Sequence, residues 1–302
     1  DPEGRETTIV YGTTIATNAL LERKGARTVL LTTAGFEDVL EIGRQARPGL
    51  YDLHPCKPEP LLPRGLRLGV HERVRSDGTV AVRLTDTEVR RALRRARRLG
   101  AESVAVCLLN AFASPRHERA LARAAARAGL DVSASHEVSN EFREYERFTV
   151  TAINALTAPL LKGFLERLVD GLRSGSDRPA RRLWVMQSDG GMLAPAMAGR
   201  FSVRTILSGP AGGVTGAVWA GRQAGSPRVI ALDIGGTSTD VSLSEGTVPW
   251  MTEGRFGDIP VRLPMVDVHS VGAGGGSIAS VDGDGRLRVG PKSAGAEPGP
   301  IC

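Results

Sequence analysis

The chain has 302 residues, a length that allows two domains of ordinary size. Its hydrophobic fraction of 41% and charged fraction of 24% are typical of globular proteins, and no run of about 18 apolar residues predicts a membrane span. The formal charge of +6 comes mostly from arginine, so we interpret it as compositional bias and expect no nucleic-acid or membrane partner.

The ends and the cysteines of the chain give weaker indications. The sequence starts at Asp1 and stops at Cys302 within a stretch rich in glycine and proline, so we expect a fragment of a longer protein. No charged-then-apolar leader is visible, and we expect a cytoplasmic protein. Cys56, Cys107 and Cys302 are far apart and have neither zinc nor disulfide spacing.

A hydroxyl-rich loop followed by a helical pattern occupies residues 11–21. Its polar side chains are Thr13, Thr14, Thr17 and Asn18. Such side chains can face a ligand or cap the helix that follows, and the residues by themselves favour capping.

The next elements predict an α/β layer. We expect a strand at residues 28–32, a short helix at 35–44 and an irregular proline-rich connection at 47–63. Alternation about Asp77-Gly78 predicts a hairpin.

An amphipathic helix is predicted at residues 85–99, with Thr85 as N-cap and Glu88 as its capping-box partner. Its outer face carries six arginines, which we interpret as a solvated surface because no aromatic residues are interleaved with them. The strand–helix–strand pattern of residues 103–135 then predicts parallel strands.

The second half begins near Ser139 with a helical segment, 141–172, that we expect to be interrupted at Pro159. Residues 183–191 predict a buried strand ending in a Gly-Gly tip. Residues 208–219 predict a helix opened by Pro210, whose small side chains fit close packing against another element or contact with phosphate.

The central feature of the sequence is the stretch 228–243, which predicts a strand, a polar glycine turn and a second strand. The first strand is continuously apolar, so we expect it to be buried on both faces. Gly235 and Gly236 can expose backbone N–H groups to an anion, and Asp233 and Asp240 can hold Mg²⁺ through water. An ordinary Gly-Gly hairpin is the alternative.

A second glycine loop lies at residues 271–278. Asp267 and His269 beside it are ligand-type residues, but two candidates do not make a metal site, and a hydrogen-bonded pair is the preferred interpretation. The sequence contains neither a P-loop motif nor a recognisable nucleophile motif.

Six motifs in order resemble signatures of the hydantoinase A/5-oxoprolinase family. They are GTTIATNALLERKG at 12–25, GFEDVLEIGR at 35–44, SGPAGG at 208–213, DIGGTSTD at 233–240, VGAGGGS at 271–277 and SAGAEPGP at 293–300. The resemblance implies an α/β fold of the actin-like ATPase type, in which two related domains close over a nucleotide. It divides the chain into an N-terminal region, 1–138, and a core region, 139–302.

The resemblance also implies an enzyme that uses ATP and Mg²⁺ to phosphorylate the amide oxygen of a small cyclic amide, such as a hydantoin or 5-oxoproline. A B-type subunit or fused domain would complete hydrolysis, which makes a hetero-oligomer the expectation. Implied phosphate contacts are Gly235, Gly236, Thr237, Ser238 and Thr239, and implied nucleotide contacts are Gly274, Gly275, Gly276 and Ser277. Asp233 and Asp240 would bind metal-coordinated water or orient the nucleophile, and Thr13, Thr14, Thr17 and Asn18 would form the opposite wall.

Two departures from the family pattern bear on activity. The family's first phosphate loop is absent, and Tyr11 stands where family members commonly have histidine. Three alternatives therefore remain open, namely an ATP-dependent ketone carboxylase subunit, an actin-like or chaperone-like ATPase, and an inactive fragment.

Overall fold

The computed structural model describes residues 7–46, 51, 53–54, 58–173, 181–236, 238–256, 259–295, 297 and 299–300. Thr237, Cys56 and Cys302, together with parts of the proline-rich connection, lie outside these ranges. The described residues form a mixed α/β fold.

Eighteen strands are found in the described ranges. They are β1 (Thr7–Tyr11), β2 (Thr28–Thr33), β3 (Arg67–Val70), β4 (Arg73–Val74), β5 (Val80–Val82), β6 (Ser103–Cys107), β7 (Asp131–Ala134), β8 (Arg181–Met186), β9 (Met192–Leu193), β10 (Arg228–Ile234), β11 (Thr239–Glu245), β12 (Trp250–Met251), β13 (Gly254–Phe256), β14 (Ile259–Val261), β15 (Met265–Val266), β16 (His269–Val271), β17 (Ser277–Val281) and β18 (Leu287–Ser293). The helices in the same ranges are α1 (Ile15–Leu21), α2 (Val39–Ile42), α3 (Asp86–Arg98), α4 (Arg116–Arg127), α5 (Ser135–Val138), α6 (Glu144–Arg173), α7 (Pro195–Arg200) and α8 (Ser208–Gln223).

The N-terminal part is built on a parallel sheet of four strands in the order β3-β2-β6-β7. Every residue of β2 and β6 is buried, because helices cover both faces. On one face Val29 and Val104 pack with α3 and α4, and on the other Leu30 and Ala105 pack with Phe148 of α6. The predicted strand–helix–strand layer is confirmed.

In this part the predicted hairpin and the predicted N-cap are confirmed, and the predicted capping box is not. The Asp77-Gly78 hairpin joins β4 and β5, and Gly78 has a φ of +82°. Thr85 caps α3 by accepting a hydrogen bond from the N–H of Glu88. The capping box is wrong, however, because the Glu88 carboxylate accepts from the N–H of His71 instead.

Helix α6 corrects the predicted interruption at Pro159, since it runs unbroken for 30 residues. Pro159 lacks an N–H, but α6 is held by packing, with its first half almost wholly buried. By length and composition α6 alone among the described helices could span a membrane, yet 67% of its apolar window is buried inside the fold, as in a core helix.

The second part centres on α8 and an antiparallel sheet in the order β10-β11-β16. Val214 and Val218 of α8 pack against Val229 and Ala231 of β10. Strand β1 lies apart from this sheet and pairs in parallel with β8.

Strand β10 corrects the expectation of burial on both faces. Ile230, Leu232 and Ile234 are 69%, 59% and 61% exposed, and Leu243 of β11, the neighbour of Ile230, is 69% exposed. The reason is that α8 covers only the face that carries Val229 and Ala231. The apolar run is therefore a strand with one covered face.

Candidate functional site

The central turn has the predicted strand–turn–strand form. Asp233 lies opposite Asp240, and Ile234 lies opposite Thr239. The N–H of Gly235 donates to the carbonyl of Ser238 at 2.9 Å, which closes a turn over Gly236. Thr237 is a predicted phosphate contact, but it lies outside the described residues.

The second glycine loop packs directly on this turn. The N–H groups of Gly275 and Gly276 donate to the carbonyls of Gly235 and Gly236 at 3.0 and 2.7 Å. A Cβ at Gly274 would lie 2.9 Å from the backbone nitrogen of Ser238, so the close approach requires glycine there. The structure thus brings two motifs about 35 residues apart into one unit, which we call the glycine clasp (residues 235–236, 238–240 and 273–277).

Side-chain hydroxyls fasten the glycine clasp. Thr239 donates through Oγ1 to the carbonyl of Ala273 at 2.6 Å. Ser277 accepts through Oγ from the N–H of Gly274 at 2.8 Å. These hydroxyls hold the second glycine loop in position. Gly236, in contrast, is exposed, and a Cβ there would contact nothing within 4 Å.

Asp233 and Asp240 are the paired carboxylates of the site. Directly opposed residues of antiparallel strands point to the same face, so the two side chains are neighbours. Ser270 donates through Oγ to Oδ1 of Asp240 and fixes that carboxylate. Paired oxygen ligands suit Mg²⁺, which keeps several waters. Within the described ranges no group of three His, Cys, Asp or Glu side chains converges, so water would have to supply the remaining ligands.

The N-terminal hydroxyl residues lie at the amino end of α8. The N–H of Thr13 donates to Oγ of Ser208 at 3.0 Å, and that hydroxyl donates back to the carbonyl of Thr13 at 2.9 Å. The Oγ1 of Thr17 accepts from the N–H of Leu207 at 3.3 Å. Thr13 and Thr17 thus support the fold, whereas Thr14 and Asn18 are exposed.

The lengths of α8 and β10 indicate that the amino end of α8 lies at the end of β10 that leads into the turn. Helix α8 has 16 residues and spans about 24 Å, and β10 has 7 residues and spans about 23 Å. A short connection makes them an antiparallel pair, so the amino end of α8 lies level with Asp233. The positive end of the helix dipole and its free N–H groups therefore lie at the end of the sheet that carries the clasp.

The amino end of α8 is a further candidate for phosphate contact, which the candidate residues chosen from the sequence do not include. A Cβ added at Gly209, Gly213 or Gly216 would meet nothing within 4 Å, so these glycines are not required for helix packing in the described structure. The SGPAGG motif at residues 208–213 indicated this feature in the sequence. Close helix packing and contact with phosphate explained the motif equally well until the fold was known.

Asp267 and His269 do not converge with further ligands. Both side chains are exposed, and the carbonyl of Asp267 accepts from Oγ of Ser242 at 2.7 Å. His269 pairs with Val241 in the β11–β16 ladder. The metal assignment of this pair remains a prediction without geometric support.

Comparison with known proteins identifies the class. The profile of the Hydantoinase/oxoprolinase N-terminal region matches residues 2–129, and the Hydantoinase/oxoprolinase profile matches residues 147–302. The chain therefore belongs to the hydantoinase/oxoprolinase family, which confirms the resemblance of the six motifs.

Two curated relatives are similar over nearly the whole chain. Caprolactamase subunit alpha of Pseudomonas jessenii is 36% identical over 301 residues, with 97% of this chain and 42% of the relative covered. 5-Oxoprolinase 1 of Arabidopsis thaliana is 36% identical over 317 residues, with 97% of this chain and 24% of the relative covered.

Solved structures show the same similarity. The ATP-dependent caprolactamase from P. jessenii matches with a TM-score of 0.80 and 34% identity, over 97% of this chain and 43% of that one. The nucleotide-free structure of acetone carboxylase, an ATP-dependent enzyme, matches with a TM-score of 0.78 and 30% identity, over 95% of this chain and 42% of that one. The chain spans less than half the length of these proteins.

Proposed function

We propose that this chain is the ATP-binding part of an enzyme that hydrolyses a cyclic amide by phosphorylating its amide oxygen. The observation that carries the proposal is the glycine clasp, with its exposed Gly236 beside the paired Asp233 and Asp240. An actin-like ATPase fold agrees with this arrangement, because it binds phosphates between glycine turns of two domains. The glycine clasp would be the second of two such turns.

The chemistry explains why ATP is needed. An amide carbon is a poor electrophile, and phosphorylation of its oxygen creates a leaving group. The γ-phosphoryl group passes from ATP to the amide oxygen and ADP leaves. Water then adds to the carbon, and the ring C–N bond breaks as the nitrogen takes a proton, which leaves an acyl phosphate. A second water attacks the carbonyl carbon of this acyl phosphate and releases inorganic phosphate that carries the former amide oxygen. Phosphoryl transfer of this kind depends mainly on positioning and on neutralising charge.

The residues of the clasp can supply the positioning. Free N–H groups at Gly236 and at the amino end of α8 would donate to phosphate oxygens, with Thr237 and Ser238 as further donors. Asp233 and Asp240 would hold metal-bound water in place. Bound Mg²⁺ would neutralise charge on the β- and γ-phosphates.

A partner subunit is part of the proposal. A B-type hydantoinase/oxoprolinase subunit or fused domain would complete hydrolysis. Support comes from the caprolactamase relative, which is named as a subunit. The shortness of this chain relative to its relatives agrees with an activity that needs more polypeptide than the 302 residues.

A ketone carboxylase is the second candidate, because the acetone carboxylase structure matches with a TM-score of 0.78. The same clasp could place phosphate on an enol oxygen. A requirement for bicarbonate during ATP turnover would favour this candidate.

An isotope experiment tests the proposed function. A cyclic amide labelled with ¹⁸O at its carbonyl is turned over by the longer parent protein with its B-type partner. We expect one ¹⁸O in each inorganic phosphate released, since the amide oxygen becomes a phosphate oxygen. Amide hydrolysis that leaves the phosphate unlabelled would rule out phosphorylation of the amide oxygen.

A further inference from the structure

Helices α3 and α4 lie on the same face of the parallel sheet, where their buried sides pack in one apolar cluster. Their outer sides carry ten arginines, six in α3 and four in α4, and all ten are exposed. Arg97 of α3 donates to the carbonyl of Ala128, the residue after α4, so the two helices are neighbours. We call this surface the arginine face (the arginines of residues 90–98 and 116–127).

The arginine face holds the net charge of the whole molecule. With ten arginines and three carboxylates, α3 and α4 have a formal charge of +7. The complete chain has a formal charge of +6, so everything outside these two helices carries −1. A compositional preference for arginine over lysine exchanges one cation for another and does not gather cations on one surface. The charge of this face is therefore a local property that the overall composition does not explain.

Few carboxylates neutralise these arginines. Glu118 is buried and accepts a hydrogen bond from the sheet, and Glu88 pairs with Arg91 at 2.7 Å. Arg94, Arg98 and the four arginines of α4 form no side-chain hydrogen bond or ion pair with another described residue. Their guanidinium groups are therefore available to a partner.

The spacing of the arginines costs stability in the isolated chain. Arg119, Arg123 and Arg127 follow one another at intervals of four residues, and like charges at this spacing repel across one helical turn. Arg116 begins α4, where positive charge opposes the helix dipole. A helix surface in contact only with water gains from alternating charge sign, which this surface lacks. A partner that supplies negative charge would remove the repulsion.

A lipid surface does not fit the arginine face. Helices that bind membranes insert apolar side chains beside their basic ones. Among the described residues, no large exposed hydrophobic side chain lies on α3 or α4. The apolar residues of both helices pack against the sheet instead.

Nucleic acid fits this face less well than protein does. Neither helix has a Phe, Tyr or Trp side chain that could stack on a base. Both helices lie along the sheet, so neither projects to enter a groove of a duplex. Alanines such as Ala120 and Ala126 separate the arginines of α4 and are exposed between them. They leave a surface of low relief on which another helix can lie.

We propose that the arginine face binds an acidic helix of another polypeptide. A helix with glutamate at every third or fourth residue presents carboxylates about 5–6 Å apart, which is also the spacing of the arginines of α4. Arg94 and Arg98 of α3, and Arg119 and Arg123 of α4, each donate two parallel N–H···O bonds to one carboxylate. This interaction is separate from the nucleotide chemistry proposed for the glycine clasp, and neither depends on the other.

Fluorescence anisotropy of a labelled peptide, titrated with the 302-residue chain, tests the proposal. The probe is an alanine-based helical peptide with glutamate at every third or fourth position of one face, and its control has glutamine at the same positions. We expect saturable binding of the glutamate peptide at low ionic strength and about tenfold weaker binding of the glutamine peptide. Binding of the glutamate peptide should weaken as salt screens the charges.

Variants that remove charge locate the interaction. Arg119→Gln with Arg123→Gln removes two charges from the arginine face, and glutamine has a helix propensity close to that of arginine. We expect this variant to bind the glutamate peptide about tenfold more weakly and to keep its thermal unfolding temperature, since it loses only repulsive contacts. Arg167→Gln with Arg286→Gln makes the same change in net charge at exposed positions of α6 and the β17–β18 turn, and should bind like the wild type.

Two further probes, a duplex DNA and vesicles of phosphatidylserine, separate the other anions at the same salt concentration. If either binds more tightly than the glutamate peptide, with a loss in the α4 variant and none in its control, the face belongs to nucleic acid or lipid and the proposal is overturned. Absence of peptide binding, equal binding of the glutamine peptide, or equal losses in the two double variants would also overturn it.

Discussion

Arg147 shows how much the fold depends on single buried charges. Its guanidinium is fully buried and donates to the carbonyl of Leu108 at 3.0 Å and to Oγ of Ser135 at 2.8 Å. That hydroxyl donates in turn to the buried carboxylate of Glu118 at 2.7 Å. The network ties the carboxyl ends of β6 and β7 to α6. Burial in the same region, followed by the charge of Glu118, raises the pKa of the Cys107 thiol well above its usual value.

Removing this guanidinium should destabilise the whole N-terminal sheet. We expect Arg147→Met to lower the free energy of unfolding by about 3–5 kcal/mol, because Glu144 loses its ion-pair partner and the buried Leu108 carbonyl and Ser135 hydroxyl lose their donor. Urea unfolding followed by circular dichroism measures the change. Arg94→Met, on the exposed face of α3, should shift it by less than about 0.5 kcal/mol. Equal effects of the two variants would contradict the assigned role of Arg147.

Residue-level prediction of the site was partial for a clear reason. Adjacent glycines, hydroxyls and two aspartates in eight residues predict a phosphate-type turn from the sequence, and the strand–turn–strand form of that prediction is confirmed. The bond between Thr13 and Ser208 joins residues 195 positions apart, which no local pattern reveals. Likewise, only the fold shows that Gly274 must be glycine to approach Ser238.

At the scale of elements, alternation and turn chemistry predicted β2, the β4–β5 hairpin, β6, β7, β8, β10 and β11, but not β1, β3, β9 or the short strands β12–β16. The errors arose where tertiary packing overrides local preference. Pro159 does not break α6, because the packing of its almost wholly buried first half holds the helix together. An apolar run predicted burial of β10 on both faces, although burial depends on which layers are present.

Glu88 links α3 to His71, directly after β3, rather than closing a capping box. Burial opposes ionisation of its carboxyl, but hydrogen bonds from His71 N–H and Arg91 outweigh it and lower the pKa. We expect Glu88→Gln to cost about 0.5–1.5 kcal/mol at pH 7. A lowered pKa stabilises the fold above the unfolded pKa, about 4.3, and this contribution is lost as pH falls through the folded pKa.

Urea unfolding of wild type and Glu88→Gln between pH 3 and pH 7 measures this contribution. Thr85→Ala removes the N-cap instead and should cost about 1 kcal/mol at every pH. A difference between wild type and Glu88→Gln that grew as the pH fell would contradict the account.

At the scale of the molecule, the outer face of the β10–β11 pair is open. Ile230 and Leu243 are cross-strand neighbours on that face, and each is 69% exposed. Contiguous exposed apolar surface of this kind promotes association. The solved relatives are more than twice as long as this chain, so the described residues need not form every layer around the sheet.

Polar substitution of that face should help the isolated chain. We expect Ile230→Lys with Leu243→Glu to raise the concentration at which light scattering begins, with little change in thermal unfolding temperature. Val229→Lys, on the face that packs against α8, should lower that temperature by several degrees. Destabilisation by the double variant equal to that of Val229→Lys would show that the outer face is covered.

The most direct test of the central claim is MgATP titration of the isotopically labelled chain, followed through its backbone amide NMR signals. We predict shifts concentrated at Gly235, Gly236 and Gly276, reduced at least tenfold in apparent affinity by Asp240→Asn or Gly236→Val. The matched changes Asp284→Asn and Gly283→Val, in the open β17–β18 turn, should leave the shifts intact. Signals of the glycine clasp that do not respond to MgATP, or that respond equally in Asp240→Asn and Asp284→Asn, would contradict its role in binding phosphate.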